Sequence, residues 1–245
     1  MKLPRALDFL QNPERFMTVS RWLAPTLGVL AAALILPALW LTLTAPGDYQ
    51  QGSTVVLLPI HVAAAWMSMF VYACLGGACF LALVFRQVLA DAAAKAAAPL
   101  GAVFTALTLI IGSLWGRPMW GTWWVWDARI TSVLILFLLY LSYLALRAAI
   151  EDETKASRMA SILAMVGLVN LPIIHFSVVW WNSLHQGSST FGADDGDSLP
   201  TVYLVPLLLM VLGFMAAFGS LWLVRIRGEV WRRRARAAAL RAAGA

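Results

Sequence analysis

The residues of this 245-residue sequence that offer chemistry are few and concentrated. The stretch W-G-R-P-M-W-G-T-W-W-V-W-D-A-R-I-T-S, from Trp115 to Ser132, places Trp115, Trp120, Trp123, Trp124 and Trp126 within twelve residues, and its only charges are Arg117, Asp127 and Arg129. Indoles at such density have two uses: a belt at the headgroup level of a bilayer, or a platform for a large, flat, apolar ligand. Anchoring one loop does not require so many rings, which favours the platform. Gly116 and Pro118 are expected to stop the preceding apolar helix, and Pro118 then suits the first turn of a short new one. A helix over Met119 to Trp126 would set Trp120, Trp123, Trp124 and Trp126 on about half of its circumference.

The three histidines are His61, His175 and His185. A single histidine near a membrane surface is more often a hydrogen-bonded interface residue than a ligand. His61 and His185, however, come from different segments on either side of the aromatic surface, and such a pair has the chemistry to fill both axial positions of a porphyrin iron. His175 lies ten residues before His185, about 15 Å deeper along a helix, and is expected to be a buried hydrogen-bonding residue. Asp127 is placed to cap the helix that follows, with Arg129 as an ion-pair partner. The competing use of Arg117 or Arg129 is as a charge-assisted donor to the carboxylates of a ligand.

The elements that must position these residues are membrane spans. With 61% hydrophobic and 12% charged residues and a mean hydropathy of +0.78, the chain reads as an all-α integral membrane protein. It forms a single membrane domain over residues 1–245, with six transmembrane helices at about 22–43, 55–85, 97–114, 130–146, 159–181 and 202–224. The first is too long for a signal-peptide core. Gly76 and Gly77 in the second span allow close helix contact, and Pro172 is expected to kink the fifth. Cys74 and Cys79 read as packing residues rather than a disulfide or metal pair.

All but two of the 18 lysines and arginines fall on one side of the spans. The exceptions are Arg117 and Arg129, so both termini are expected to be cytoplasmic, with the tryptophan stretch and the loops around Asp48 and Asp194 on the outer face. The sequence has no C-x-x-C-H for thioether attachment of haem, and no G-x-x-x-x-G-K-[ST], so ATP coupling requires a separate polypeptide. No feature points to nucleic acid.

The motif at Trp115 to Ser132, L-P-I-I-H-F-S-V-V-W-W-N-S-L-H-Q-G at Leu171 to Gly187, and H-V-A-A-A-W-M-S-M at His61 to Met69 closely resemble the CcmC family of haem-handling proteins in bacterial cytochrome c maturation. The tryptophan-rich motif marks the wider WWD superfamily; the chain length, two outer histidines and L-H-Q-G context mark this branch. The resemblance implies non-covalent haem b at the outer (periplasmic) face of the inner membrane, with His61 and His185 as axial ligands. The site would be completed by the loop 115–132, with Trp115, Trp120, Trp123, Trp124, Trp126, Asp127, Arg117 and Arg129. It implies delivery to the haem chaperone CcmE within an ABC-transporter-type complex of the ATP-binding subunit CcmA, CcmB and CcmD, embedded in membrane lipid. No independent catalytic activity is expected beyond promotion of covalent haem attachment to CcmE. The alternatives are a subunit that itself exports haem through its spans, a cytochrome b-like electron carrier, and a scaffold that carries no haem.

Overall fold

The computed structural model describes residues 12–185 and 199–243. The chain is all-helical: α1 (Pro13–Thr44), a 3-10 turn (Ser53–Leu57), α2 (Leu58–Phe85), α3 (Val88–Trp120), α4 (Ala128–Ala149), α5 (Glu153–Gly167), α6 (Asn170–Trp180) and α7 (Thr201–Ala242). Counting the 3-10 turn with α2, and α5 with α6, six helical units are long and apolar enough to cross a membrane. Asp194, Asp195 and Asp197, with the whole loop 186–198, lie outside the described residues, as do Lys2 and Arg5.

Local signals explain most of the boundaries. Asn12 caps α1, its Oδ1 accepting from the Glu14 and Arg15 N–H groups at 2.9 and 3.3 Å, with Pro13 in the first turn. Asp152 caps α5 in the same way. The connection left between the expected spans 55–85 and 97–114 shrinks to Arg86 and Gln87, because α3 begins at Val88. Alanines 92–94 and 96–98 make that start strongly helix-favouring.

Two expectations fail for identifiable reasons. Gly116 and Pro118 do not stop the helix, since α3 runs through both to Trp120. Pro118 sits in the last turn, where its missing N–H removes one bond from a helix about to end. Gly121, at φ 74°, makes the ending, and its N–H donates to the Arg117 carbonyl at 3.1 Å. Residues 121–127 are therefore irregular, and the short helix with four indoles on one arc does not form. In the fifth unit, Pro172 does not kink a continuous helix: the chain breaks into α5 and α6 around Leu168 and Val169, with Pro172 in the first turn of α6. A proline ring excludes the carbonyl four residues back, here Leu168, from helical bonding. The break is closed by tighter bonds from Leu168, Val169 and Leu171 N–H to the carbonyls three residues earlier.

The core lies among α2, α3, α4 and α5, where Tyr72, Leu75, Leu136, Tyr140 and Tyr143 are fully buried against Ala94, Ala97 and Ala98. Small residues permit this approach. A Cβ on Gly101 of α3 would stand 2.1 Å from the Tyr140 ring, whose hydroxyl donates to the Ser68 carbonyl at 2.9 Å. Helix α1 flanks the bundle, packed on α7, where Ser220 Oγ donates to the Ala24 carbonyl at 2.8 Å. Its outward side, with Trp22, Val29 and Leu36 exposed, is a surface fit for lipid.

One end of the bundle is ionic. Asp91 of α3 pairs with Arg147 of α4 at 2.5 Å and with Arg233 of α7, and accepts from Ser157 of α5 at 2.5 Å. Glu229 and Glu153 extend the network to Arg232 and Lys95. The tryptophan segment and His185 lie at the opposite end.

Candidate functional site

The site is built on the last two turns of α3. His61, one turn into α2, packs edge-on against Trp115, with ring centroids 5.7 Å apart at 77°. Its seat depends on Gly112, where a Cβ would come within 2.9 Å of His61 Cε1. His61 Nδ1 and Trp115 Nε1 are both buried without a hydrogen-bond partner among the described residues. Five residues further along α3, Trp120 meets His185 edge-on, with centroids 5.0 Å apart at 68°. The two imidazoles thus contact tryptophans of one helix end, Trp115 and Trp120, about 7.5 Å apart along its axis.

His185 stands on irregular chain beyond α6, and three hydrogen bonds fix it. Its Nδ1–H donates to Asp127 Oδ2 at 3.1 Å, Ser183 Oγ donates to the same oxygen at 2.6 Å, and the His185 backbone N–H donates to Ser183 Oγ at 3.1 Å. Asp127 serves two structures at once, because its Oδ1 caps α4 by accepting from Ile130 N–H at 2.8 Å. Burial works to raise the Asp127 pKa, but the hydrogen bonds from Ile130, Ser183 and His185 outweigh it and hold the carboxyl below its usual range. For His185, burial dominates and lowers the pKa, against the pull of Asp127. The ring is therefore neutral at pH 7, with Nδ1 protonated and Nε2 carrying the lone pair.

The remaining segment wraps this pair. Arg117 donates to the Gly121 carbonyl, closing its own helix end, and its guanidinium lies 5.9 Å from the Trp123 ring centroid. Trp124 and Trp126 meet edge-on at 5.5 Å. Trp123 and Trp126 are exposed, while Trp124 Nε1 is buried and unpartnered among the described residues. Arg129 does not form the expected ion pair with Asp127: its Nε donates to Ser177 Oγ at 3.3 Å and its Nη2 to the His175 carbonyl at 3.5 Å. It braces α4 against α6. His175 itself is exposed rather than buried, its ring against Phe176 at 4.7 Å. An apolar neighbourhood in a membrane protein faces lipid as readily as core.

A family described as Heme exporter protein C matches residues 6–241. The chain belongs to the Heme exporter protein C family. Curated members include the proteins called Heme exporter protein C of Bradyrhizobium diazoefficiens, 51% identical over 93% of this chain and 86% of that one; of Escherichia coli K12, 43% identical over 92% and 91%; and of Haemophilus influenzae, 44% identical over 89% of each.

Two residues of this Heme exporter protein C family member escaped the sequence reading. Ser183 carries a readable signal, since a serine two residues before an N–H often closes a local turn with it. Gly112 carries none, because its role is to leave room for a ring from another helix.

Proposed function

We propose that this chain binds haem at the outer face of the bacterial inner membrane and hands it to the membrane-anchored chaperone CcmE for c-type cytochrome biogenesis, in an assembly with CcmA, CcmB and CcmD. The observation that carries the reading is the pair of imidazoles on one helix end, each edge-on to its own tryptophan. Membership of a family whose relatives are called heme exporters supports the choice of ligand.

The residues fit such a cargo. His185 Nε2 is available because Asp127 occupies Nδ1, and a carboxylate behind a ligating imidazole both fixes its orientation and raises its basicity. His61, with Nδ1 buried and unpartnered among the described residues, would be the second imidazole to hold the iron. Trp115, Trp120, Trp123, Trp124 and Trp126 supply apolar area for the macrocycle at little cost in side-chain entropy. Arg117, exposed beside Trp123, has unspent donors for a propionate, and Arg129 adds positive charge while holding α6. The basic end of the bundle faces the cytoplasm by the excess of arginine and lysine there.

Direct export through the spans has weaker support. A polar lining within the spans would draw on Asn170 and His175, but Asn170 is engaged, its Nδ2 donating to the Ser132 carbonyl at 2.9 Å, and His175 is exposed on the outside of the bundle.

Absorption spectra of the purified chain test the proposal. Wild type is expected to show a low-spin, bis-imidazole haem that passes to added CcmE. His61→Ala and His185→Ala should each lose that spectrum, whereas an unchanged spectrum in either would overturn the assignment of ligands.

A further inference from the structure

At the basic end, far from the tryptophan segment, a cleft of about 250 Å³ opens between the first turns of α1 and the part of α7 that leaves the apolar run. Glu14, Met17 and Arg21 line it from α1, and Arg227, Trp231 and Arg234 from α7. Among the described residues, three guanidiniums face one carboxylate, which leaves the cleft cationic.

The donors are partly fixed and partly unspent. Arg227 is held by its Nη1, which donates to the Met17 carbonyl at 2.6 Å and to Ser20 Oγ at 3.0 Å. Its Nε and Nη2 make no hydrogen bond to the described residues. Arg234 gives Nη2 to Glu14 Oε1 at 2.8 Å and lies over the Trp231 ring at 5.4 Å, with Nε and Nη1 unspent. Arg21 lies over Trp22 at 5.1 Å, and its guanidinium makes no hydrogen bond to the described residues. A guanidinium fork of this kind matches two oxygens of a phosphate.

The surroundings select the source of the phosphate. Trp22 and Trp231, both exposed, flank the cleft, and the adjoining outward side chains Val19, Leu23 and Val224 are apolar and exposed. Indoles beside arginines above an apolar wall mark the boundary between headgroups and acyl chains. Basic pockets between helices at that level suit anionic headgroups. We propose that this cleft binds the headgroup phosphate of an anionic phospholipid, whose acyl chains lie along the α1–α7 wall.

Native mass spectrometry of the full chain in detergent tests this, with dioctanoyl phosphatidylglycerol, dioctanoyl phosphatidylcholine and inorganic phosphate as probes. Phosphatidylglycerol is expected to bind in preference to phosphatidylcholine. Arg21→Gln with Arg234→Gln should weaken it about 25-fold, from roughly 5-fold per arginine near a membrane surface. Glu14→Gln releases Arg234 and should tighten binding several-fold, a gain that misfolding cannot mimic. Arg158→Gln with Arg241→Gln removes equal charge elsewhere and should change nothing. Equal loss in that control pair, equal binding of the two lipids, or displacement of phosphatidylglycerol by equimolar inorganic phosphate would each overturn the proposal.

Discussion

Asp127 joins two jobs in one carboxylate, and the two separate by mutation. In Asp127→Asn the helix cap survives, because asparagine caps as well as aspartate, but His185 Nδ1–H loses its anionic acceptor. Haem affinity is expected to fall by about tenfold or more while the thermal unfolding midpoint falls only modestly, by what the ionised carboxyl contributes; haem titration beside a melting curve separates the two effects. Acid should act through His185. Its folded pKa lies below the ordinary 6.5, so the unfolded chain binds the proton first, and stability contributed by the neutral ring is present above about 6.5 and declines as pH falls below it. Asp127, depressed below 3.8, keeps its charge throughout that interval. Melting temperatures from pH 7.5 to 5 should therefore fall, and His185→Gln should reduce the slope. The cap was legible in the sequence as an aspartate ahead of an apolar run. The bond from His185 to Asp127 was not, because 58 positions separate the partners and no local pattern spans them.

Among the helices, glycine shows what composition leaves out. Gly76 and Gly77 read alike as small residues in an apolar span, yet a Cβ on Gly76 would meet Leu168 at 2.6 Å and one on Gly77 would meet nothing within 4 Å. Gly101, unremarked in sequence, is the tighter contact, since α3 and α4 approach through it. Gly101→Ala is expected to destabilise the bundle by about 2 to 3 kcal/mol, the cost of overpacking a filled core, whereas Gly77→Ala should be neutral or slightly stabilising; thermal melts of the two variants make the comparison. The tryptophan segment carries the same lesson. Pro118 pointed to a helix start, but a proline in a final turn is tolerated, and Gly121, the residue directly after the last indole of α3, decided the outcome.

For the molecule as a whole, six crossings were legible because a bilayer's thickness imposes a length that hydropathy reveals. The reach of α7 to Ala242 was not, since its last residues leave the apolar run; alanine and arginine sustain a helix in water just as well. That extension brings Arg233 to Asp91, which makes the ionic end a clamp across α3, α4 and α7. Asp91→Asn leaves Arg147, only 4% exposed, facing a neutral amide, and should cost about 3 kcal/mol. The haem spectrum should persist, because α3 carries Trp115 and Trp120 about 35 to 45 Å from Asp91; a melt and a spectrum on one sample check both halves. At the far end, Trp123 and Trp126 are 57% and 74% exposed. Bare indoles at the rim of a bilayer do not stay bare, since any amphiphile within reach will settle on them. On the proposed haem reading, loading would be a swap rather than a filling: an apparent affinity would be a contest between porphyrin and lipid or detergent, and the same competitor that slows arrival would ease departure.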